Sequence, residues 1–238
     1  MQPDVDVLVS NHPGRWAAQL APLRPDLLVA TVFPWKIPAE VLALPRLGAV
    51  NVHPALLPRY RGTMTPFWLL RQGEREAGQT LHRMTPEFDT GPILAQAGFP
   101  IADEDDLGAL MPKMFAVMPE LWAMALPKIA EGDPGDPQDE EQASYFGQIT
   151  DEAAWKAIDW TQPARTVHNV VRSSGFSRAS PPGAVGTIDG VPHRITKTRL
   201  LPDSKGDGVP GSVVARDGDT LLVQCGDGLL GVVTYEQV

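Results

Sequence analysis

Apolar and polar positions along this chain follow two rhythms, and the change falls near residue 131. Before it, short unbroken apolar runs alternate with segments of helical period. Val5–Ser10 (VDVLVS) predicts a short buried strand, and Asp26–Val32 (DLLVATV) predicts one buried on both faces, as in a parallel sheet. Gly48–Val52 (GAVNV) predicts the next strand. Trp16–Leu23, halted by Pro25, and Pro38–Leu44 predict the helices between them. This order predicts an α/β sheet, whose ligands bind beyond the carboxyl ends of the strands. Thr65–Gln72 predicts a helix, Gln79–Met84 alternates like a strand, and Ile93–Phe99 predicts its hairpin partner across the Asp89–Pro92 turn. Leu107–Ile129 carries long apolar helical periodicity, with Pro112 and Pro119 placed to interrupt or kink it.

The stretch Glu131–Gln142 (EGDPGDPQDEEQ) has no aliphatic residue and predicts a linker. Beyond it, Trp155–Ser174 has helical signals. Gly183–Tyr235 then carries short β runs punctuated by Gly and Asp, the pattern of a small β barrel or sandwich. The expected organisation is a first domain over 1–130, a linker over 131–142 and a second, β-rich domain over 143–238.

Composition narrows the classes. The net charge of −9 argues against a general affinity for nucleic acid phosphates. One cysteine, Cys225, excludes an intrachain disulfide and a cysteine metal cluster, and fits a cytoplasmic setting. The first residues lack the basic and apolar regions of a signal peptide, and no apolar run approaches the roughly 18 residues of a membrane span.

Candidate chemistry concentrates in Asn51-Val-His53-Pro-Ala-Leu-Leu-Pro58-Arg-Tyr-Arg-Gly62 and in Phe88-Asp89-Thr90-Gly91-Pro92. Asn51 and His53 stand two apart, so an extended segment points both to one face. An amide donor beside a titratable imidazole suits acyl transfer, because one stabilises an oxyanion while the other takes a proton. Asp89, from a second loop, can orient the imidazole. Taken alone, Asn-x-His reads more simply as a Pro-bounded strand end with a satisfied histidine.

With these pieces in order, the chain resembles the folate-dependent formyltransferase family, which includes methionyl-tRNA formyltransferase, formyltetrahydrofolate hydrolases and amino-sugar N-formyltransferases. The residues that carry the likeness are Asn51, His53, Leu56, Leu57, Pro58, Gly62, Asp89 and Gly91. Further on they are Tyr145-Phe146-Gly147, Ile158-Asp159-Trp160, His168-Asn169-Val170-Val171-Arg172, Pro210-Gly211-Ser212-Val213 and Cys225-Gly226-Asp227-Gly228. The resemblance implies a Rossmann-like, parallel-sheet first domain, truncated at its start, and a smaller OB-like β-barrel second domain. It implies 10-formyltetrahydrofolate as formyl donor, a primary amine as acceptor, and no metal. Asn51 is then the oxyanion donor, His53 the general base and Asp89 its orienting carboxylate. Phe33, Pro34, Trp35, Lys36, Ile37, Glu87, Phe88, Thr90 and Gly91 are implied to hold the folate. Tyr60, Arg61 and Gly62 are implied at the mouth facing the acceptor. Two departures stand out. The family's serine is Ala55 here, which removes a hydrogen bond that shapes the loop. The family's opening strand–helix–strand before Val5–Ser10 is also missing, so the start is expected to be misplaced or the chain truncated.

Other tempting residues read more simply. His12 suits a turn, and His82, in a strand, reads as structural. His168 suits packing and capping against the first domain, Asp103–Asp106 suits a helix cap, and Cys225 reads as an inert thiol. The acceptor expected is a small-molecule amine, an amino sugar or an amino acid derivative. Residues 151–238 hold nine Lys and Arg against ten Asp and Glu, which disfavours methionyl-tRNA as acceptor. Hydrolysis of the donor, or a non-catalytic truncated homologue, are the remaining alternatives.

Overall fold

The structure, a computed structural model, describes residues 10, 12–33, 35–175 and 180–238. The first part comprises α1 (Pro13–Leu20), β1 (Leu28–Thr31), α2 (Ala39–Leu42), β2 (Ala49–His53), β3 (Arg61–Gly62), α3 (Thr65–Gln72), β4 (Glu76–Arg83), β5 (Ile93–Pro100), α4 (Leu107–Ala116) and α5 (Met118–Glu131). The predicted strand Val5–Ser10 lies outside the described residues apart from Ser10, which is irregular.

Among the described residues, four strands form a sheet in the order β1-β2-β4-β5. Only β1 and β2 run parallel; β4 is antiparallel to both its neighbours. The sheet is therefore mixed rather than parallel throughout, because the short connection around Asp89 joins β4 and β5 as a hairpin. The strand predicted as buried on both faces is also corrected. In β1 only Ala30 is buried, and Val29 remains 46% exposed. Among the described residues β1 pairs with β2 alone.

The apolar side of α5 closes over the sheet. Leu121, Ala125 and Ile129 pack on Val50, Val52, Leu81, Leu94, Ala95 and Ala97. Each fully buried Val, Leu or Ile side chain there contributes about 1.5–3 kcal/mol. The long predicted helix breaks at Val117, just before Pro119 in the first turn of α5. Pro112 lies inside α4 and does not end it. By length and mean hydropathy Leu107–Glu131 is apolar enough to cross a membrane, although the break at Val117 and the packing on the sheet give it a place in this fold.

The second part comprises β6 (Tyr145–Phe146), α6 (Glu152–Lys156), α7 (Ala164–Arg172), β7 (Ala184–Ile188), β8 (Val191–Leu200), β9 (Val213–Asp217), β10 (Thr220–Gln224) and β11 (Leu229–Gln237). Its five-stranded antiparallel sheet has the order β7-β8-β11-β10-β9. No ladder joins β7 to β9 among the described residues, so strand number fits the OB-like expectation while barrel closure is not seen. Val167, Val170 and Val171 of α7 pack against Ile195, Leu221, Val223, Leu230 and Val232 of this sheet. Cys225 is buried, and burial pushes its thiol up to about 12.

The two parts meet through polar and aromatic contacts. His168 Nε2 donates to the Asp103 carbonyl at 2.7 Å, while its Nδ1 accepts from the Thr198 hydroxyl at 2.8 Å. The Arg71 guanidinium lies 3.9 Å from the centre of the Trp155 ring, and Trp68 meets the same ring edge-on at 4.7 Å. A short parallel pair, β3 with β6, aligns Arg61 with Tyr145 and Gly62 with Phe146.

The acidic stretch predicted as a linker is not free. Ile93 and Asp136 exchange main-chain hydrogen bonds of 2.8 Å, and Glu140–Gln142 forms a turn of 3-10 helix. A segment without aliphatic residues cannot join a core, but its backbone and amide groups still bind polar loops.

Candidate active site

Strand β2 ends at His53, and its alternation turns Asn51 and His53 to the same face. The register with β4 sets Asn51 opposite His82 and His53 opposite Thr80. Thr80 pins the loop that follows β2: its hydroxyl donates to the Ala55 carbonyl at 2.6 Å and accepts from the Leu57 amide at 3.0 Å. The loop that carries alanine at position 55 is thus held from the neighbouring strand, with Ala55 fully buried.

Asp89 arrives from the β4–β5 turn with φ 56, a left-handed conformation uncommon outside glycine. Three groups converge on its carboxylate. Oδ2 accepts from the Gly62 amide at 2.8 Å, Oδ1 accepts from Asn51 Nδ2 at 3.3 Å, and His53 Nδ1 lies 3.4 Å from Oδ1. Burial pushes the Asp89 carboxyl up, but the hydrogen bonds around it, the Gly62 amide among them, outweigh it and hold it below the usual range.

His53 is 3% exposed. Its Nε2 lies 2.7 Å from the Tyr60 carbonyl oxygen, which can only accept, so Nε2 carries the hydrogen. The lone pair of the neutral ring is then on Nδ1, aimed at Asp89. Burial lowers the pKa of His53, against the pull of Asp89 and the Tyr60 carbonyl. His53 and Asp89 therefore form one proton-accepting unit, with Asp89 its outer member.

The three predicted chemical residues are brought together, and their loops with them. Lys36 reaches across to Glu87 at 2.7 Å and lies 5.7 Å from the Phe88 ring centre. A cleft of about 630 Å³ opens beside this bridge, lined by Lys36, Arg61, Glu87, Phe88, Thr90, Ala143, Ser144 and Tyr145. A smaller hollow of about 380 Å³ in the second part, around Arg165, Asp203 and Asp227, contains none of the predicted site residues.

Other predicted positions are placed differently. Phe33 and Trp35 stand in an edge-to-face pair with ring centres 5.5 Å apart and do not line the cleft. Ile37 is half-buried, and Pro34 lies outside the described residues. Gly91 is buried against the Arg83 carbonyl; a Cβ there would sit 1.8 Å from that oxygen, so its role is to close the turn. Tyr60 turns inward, stacking on Phe146 at 4.7 Å and donating to Glu74 at 2.7 Å. Its side chain does not face the mouth, because the aromatic ring gains more from burial under Phe146. Arg61 borders the cleft, but Gln138 and Glu140 hold its guanidinium. Gly62 contributes its amide to Asp89.

Two functional candidates had no signal at the level of residue spacing. His82 Nε2 lies 3.2 Å from Asn51 Nδ2 and 3.6 Å from Asp89 Oδ1, a contact fixed by sheet register. Gln138 sits in the acidic stretch, where no local pattern marks it. Its amide donates to the Asp89 and Gly91 carbonyls at 2.8 and 2.7 Å, while its oxygen accepts from Arg61.

Comparison with known proteins assigns the architecture. Residues 9–126 match the formyl transferase family, and residues 149–237 match the formyl transferase C-terminal domain. The chain is similar to HypX from Aquifex aeolicus in complex with tetrahydrofolic acid, with 24% identity and a TM-score of 0.67, over 95% of this chain and 38% of that one. It therefore spans about two fifths of the length of HypX. It is also similar to WlaRD, a sugar 3N-formyl transferase seen with dTDP and 5-N-formyl-THF, with 22% identity and a TM-score of 0.70, over 92% of this chain and 76% of that one. An N-formyltransferase from Helicobacter canadensis, in complex with folinic acid and dTDP-3-aminofucose, matches with 23% identity and a TM-score of 0.62, over 79% of this chain and 66% of that one. At these identities the solved structures speak for the fold, while the two sequence matches together span most of the chain. The chain belongs to the formyl transferase family.

Proposed function

We propose that the protein transfers a formyl group from 10-formyltetrahydrofolate to the primary amine of a small-molecule acceptor, an amino sugar or an amino acid derivative. The observation that carries this reading is the convergence of Asn51 and His53 on the Asp89 carboxylate, beside the cleft of about 630 Å³. The amine nitrogen attacks the formyl carbon, and the carbonyl oxygen gains negative charge as its π bond opens. Asn51 meets that charge with an amide hydrogen, the one now shared with Asp89 over a long 3.3 Å contact. The proton lost by the amine passes to the Asp89–His53 unit. When the oxyanion collapses, the bond from the formyl carbon to N10 breaks, and the departing nitrogen takes that proton. Lys36, Glu87, Phe88 and Thr90 make the wall where the donor lies. Phe33, Trp35 and Ile37 follow in the first of its two loops, and the second closes at Gly91.

Relatives of this fold are seen with tetrahydrofolic acid and with dTDP-3-aminofucose, which supports a folate donor and a small amine acceptor. The second part of the chain has no cationic excess, at nine basic against ten acidic residues over 151–238, so a tRNA acceptor is disfavoured.

The test is release of tetrahydrofolate from 10-formyltetrahydrofolate with and without candidate amines. Acceptor-dependent release is expected, with Asn51→Ala and His53→Ala each lowering kcat by about 10²–10³-fold. Release independent of any amine identifies a hydrolase, and variants as fast as the parent remove the acyl-transfer reading. Transfer to methionyl-tRNA in preference to small amines moves the acceptor class.

A further inference from the structure

The reaction proposed above gives no task to His82, although this imidazole is 2% exposed and stands directly opposite Asn51 in the β2–β4 register. Its Nδ1 lies 2.8 Å from the Arg83 carbonyl oxygen. A carbonyl only accepts, so Nδ1 carries the hydrogen, and the neutral ring keeps its lone pair on Nε2. That lone pair meets Asn51 Nδ2 at 3.2 Å. The tautomer is therefore set by the backbone of the next residue.

That backbone is itself held. Arg83 donates its amide hydrogen to the Pro92 carbonyl at 2.8 Å, and its guanidinium donates to the carbonyls of Leu47 and Asp133 at 2.6 and 2.7 Å. Gly91 closes on the Arg83 carbonyl at a separation that leaves no space for a side chain. The turn that presents Asp89 thus also fixes which nitrogen His82 offers to Asn51.

An asparagine amide rotates readily about its terminal torsion, and both hydrogens of its nitrogen are in play here. Resting on the acyl-transfer reading, we propose that His82 is a positioning residue: its bare Nε2 anchors one hydrogen of the Asn51 amide, leaving the second directed at Asp89 and the reacting oxygen. With that anchor removed, the contact that still orients the amide among the described residues is the 3.3 Å one to Asp89.

A double-mutant cycle on the full chain tests this, with kcat and KM measured for the parent, Asn51→Ala, His82→Leu and the pair. His82→Leu is expected to lower kcat about 10- to 100-fold with KM for the donor little changed, a part of the loss for deleting the amide itself. In the Asn51→Ala background it is expected to cost nothing further. His82→Gln, which offers an acceptor oxygen, is expected to recover most of the rate. In the ligand-free parent, long-range proton–nitrogen NMR is expected to find the His82 ring protonated at Nδ1 and bare at Nε2. An equal loss in both backgrounds, or a ring protonated at Nε2, overturns the role while leaving acyl transfer in place. An Asn51→Ala variant as active as the parent removes the acyl-transfer reading and this role with it. If His82→Leu does not fold, His82→Gln and the NMR measurement decide.

Discussion

The side-chain amide of Gln138 donates to the main-chain carbonyl of Asp89 at 2.8 Å, so the acidic stretch after α5 holds the turn that carries the central carboxylate. The same amide donates to Gly91, and its oxygen takes two hydrogens from Arg61. Every hydrogen-bonding group of this one side chain is used. The clamp offsets the left-handed backbone at Asp89, which costs on the order of 1 kcal/mol for a non-glycine residue.

Gln138→Leu is expected to leave two carbonyls and a buried guanidinium short of partners, lowering stability by about 2 kcal/mol or more. Gln138→Glu keeps the acceptor for Arg61 but turns a carboxylate on two carbonyls, so formyl transfer should fall further than in the leucine variant. Urea denaturation and steady-state kinetics measure the two effects separately. A glutamate variant with parental kcat would show that the turn does not depend on this donor.

Gly62 has φ 102, and a Cβ built on it would lie 2.2 Å from the Phe146 carbonyl oxygen. Gly62→Ala must part β3 from β6 and shift the amide that binds Asp89 at 2.8 Å. Strain of this kind costs on the order of 1–3 kcal/mol. Both melting temperature and kcat are expected to fall, and loss of stability with unchanged kcat would separate the glycine from the site.

His168 uses both ring nitrogens in bonds between the two parts of the chain. His168→Leu is expected to cost about 2–3 kcal/mol by leaving the Asp103 carbonyl and the Thr198 hydroxyl without it. It touches none of the reacting groups, so kcat per folded molecule should stay at the parental value. A fall in kcat at full folding would mean that the contact tunes the site.

Stability should decline in two steps as pH falls. Burial lowers the pKa values of His53 and His168 below the ordinary 6.5, so both are neutral in the fold while the unfolded chain gains their protons as pH drops through that value. The unfolded state then binds more protons, and stability falls below about pH 6.5 by up to about 1.4 kcal/mol per unit for each group. Asp89 acts lower. Its folded carboxyl titrates below the ordinary 3.8, so its contribution is present above that value and lost as pH falls through the folded pKa. Urea titrations from neutral to acid pH follow both steps, and a flat curve between about pH 7 and 5 would contradict the buried neutral histidines.

Local pattern was informative where chemistry and periodicity coincide. Thr65–Gln72 forms the helix its sequence predicts, and the β4–β5 hairpin forms around Asp89 as its turn residues predict. Asn51 and His53 share a face because strand alternation is a property of the backbone itself. The inward turn of Tyr60 was not legible, since an aromatic residue in a loop takes its direction from what covers it. Here the cover is Phe146, more than eighty residues on.

The sequence by itself determined the alternation of elements, the facing pair Asn51 and His53, the turn at Asp89 and the family likeness. All of these rest on contacts within a few residues or on motifs read in order. Tertiary structure alone decided that β4 lies beside β2, that His82 therefore meets Asn51, and that Gln138 reaches back to Asp89. Register and long-range hydrogen bonds follow from how separate segments pack together, and spacing along a single chain does not encode that. The same packing turned the proton-accepting nitrogen of His53 toward Asp89, because the Tyr60 carbonyl had already claimed the other.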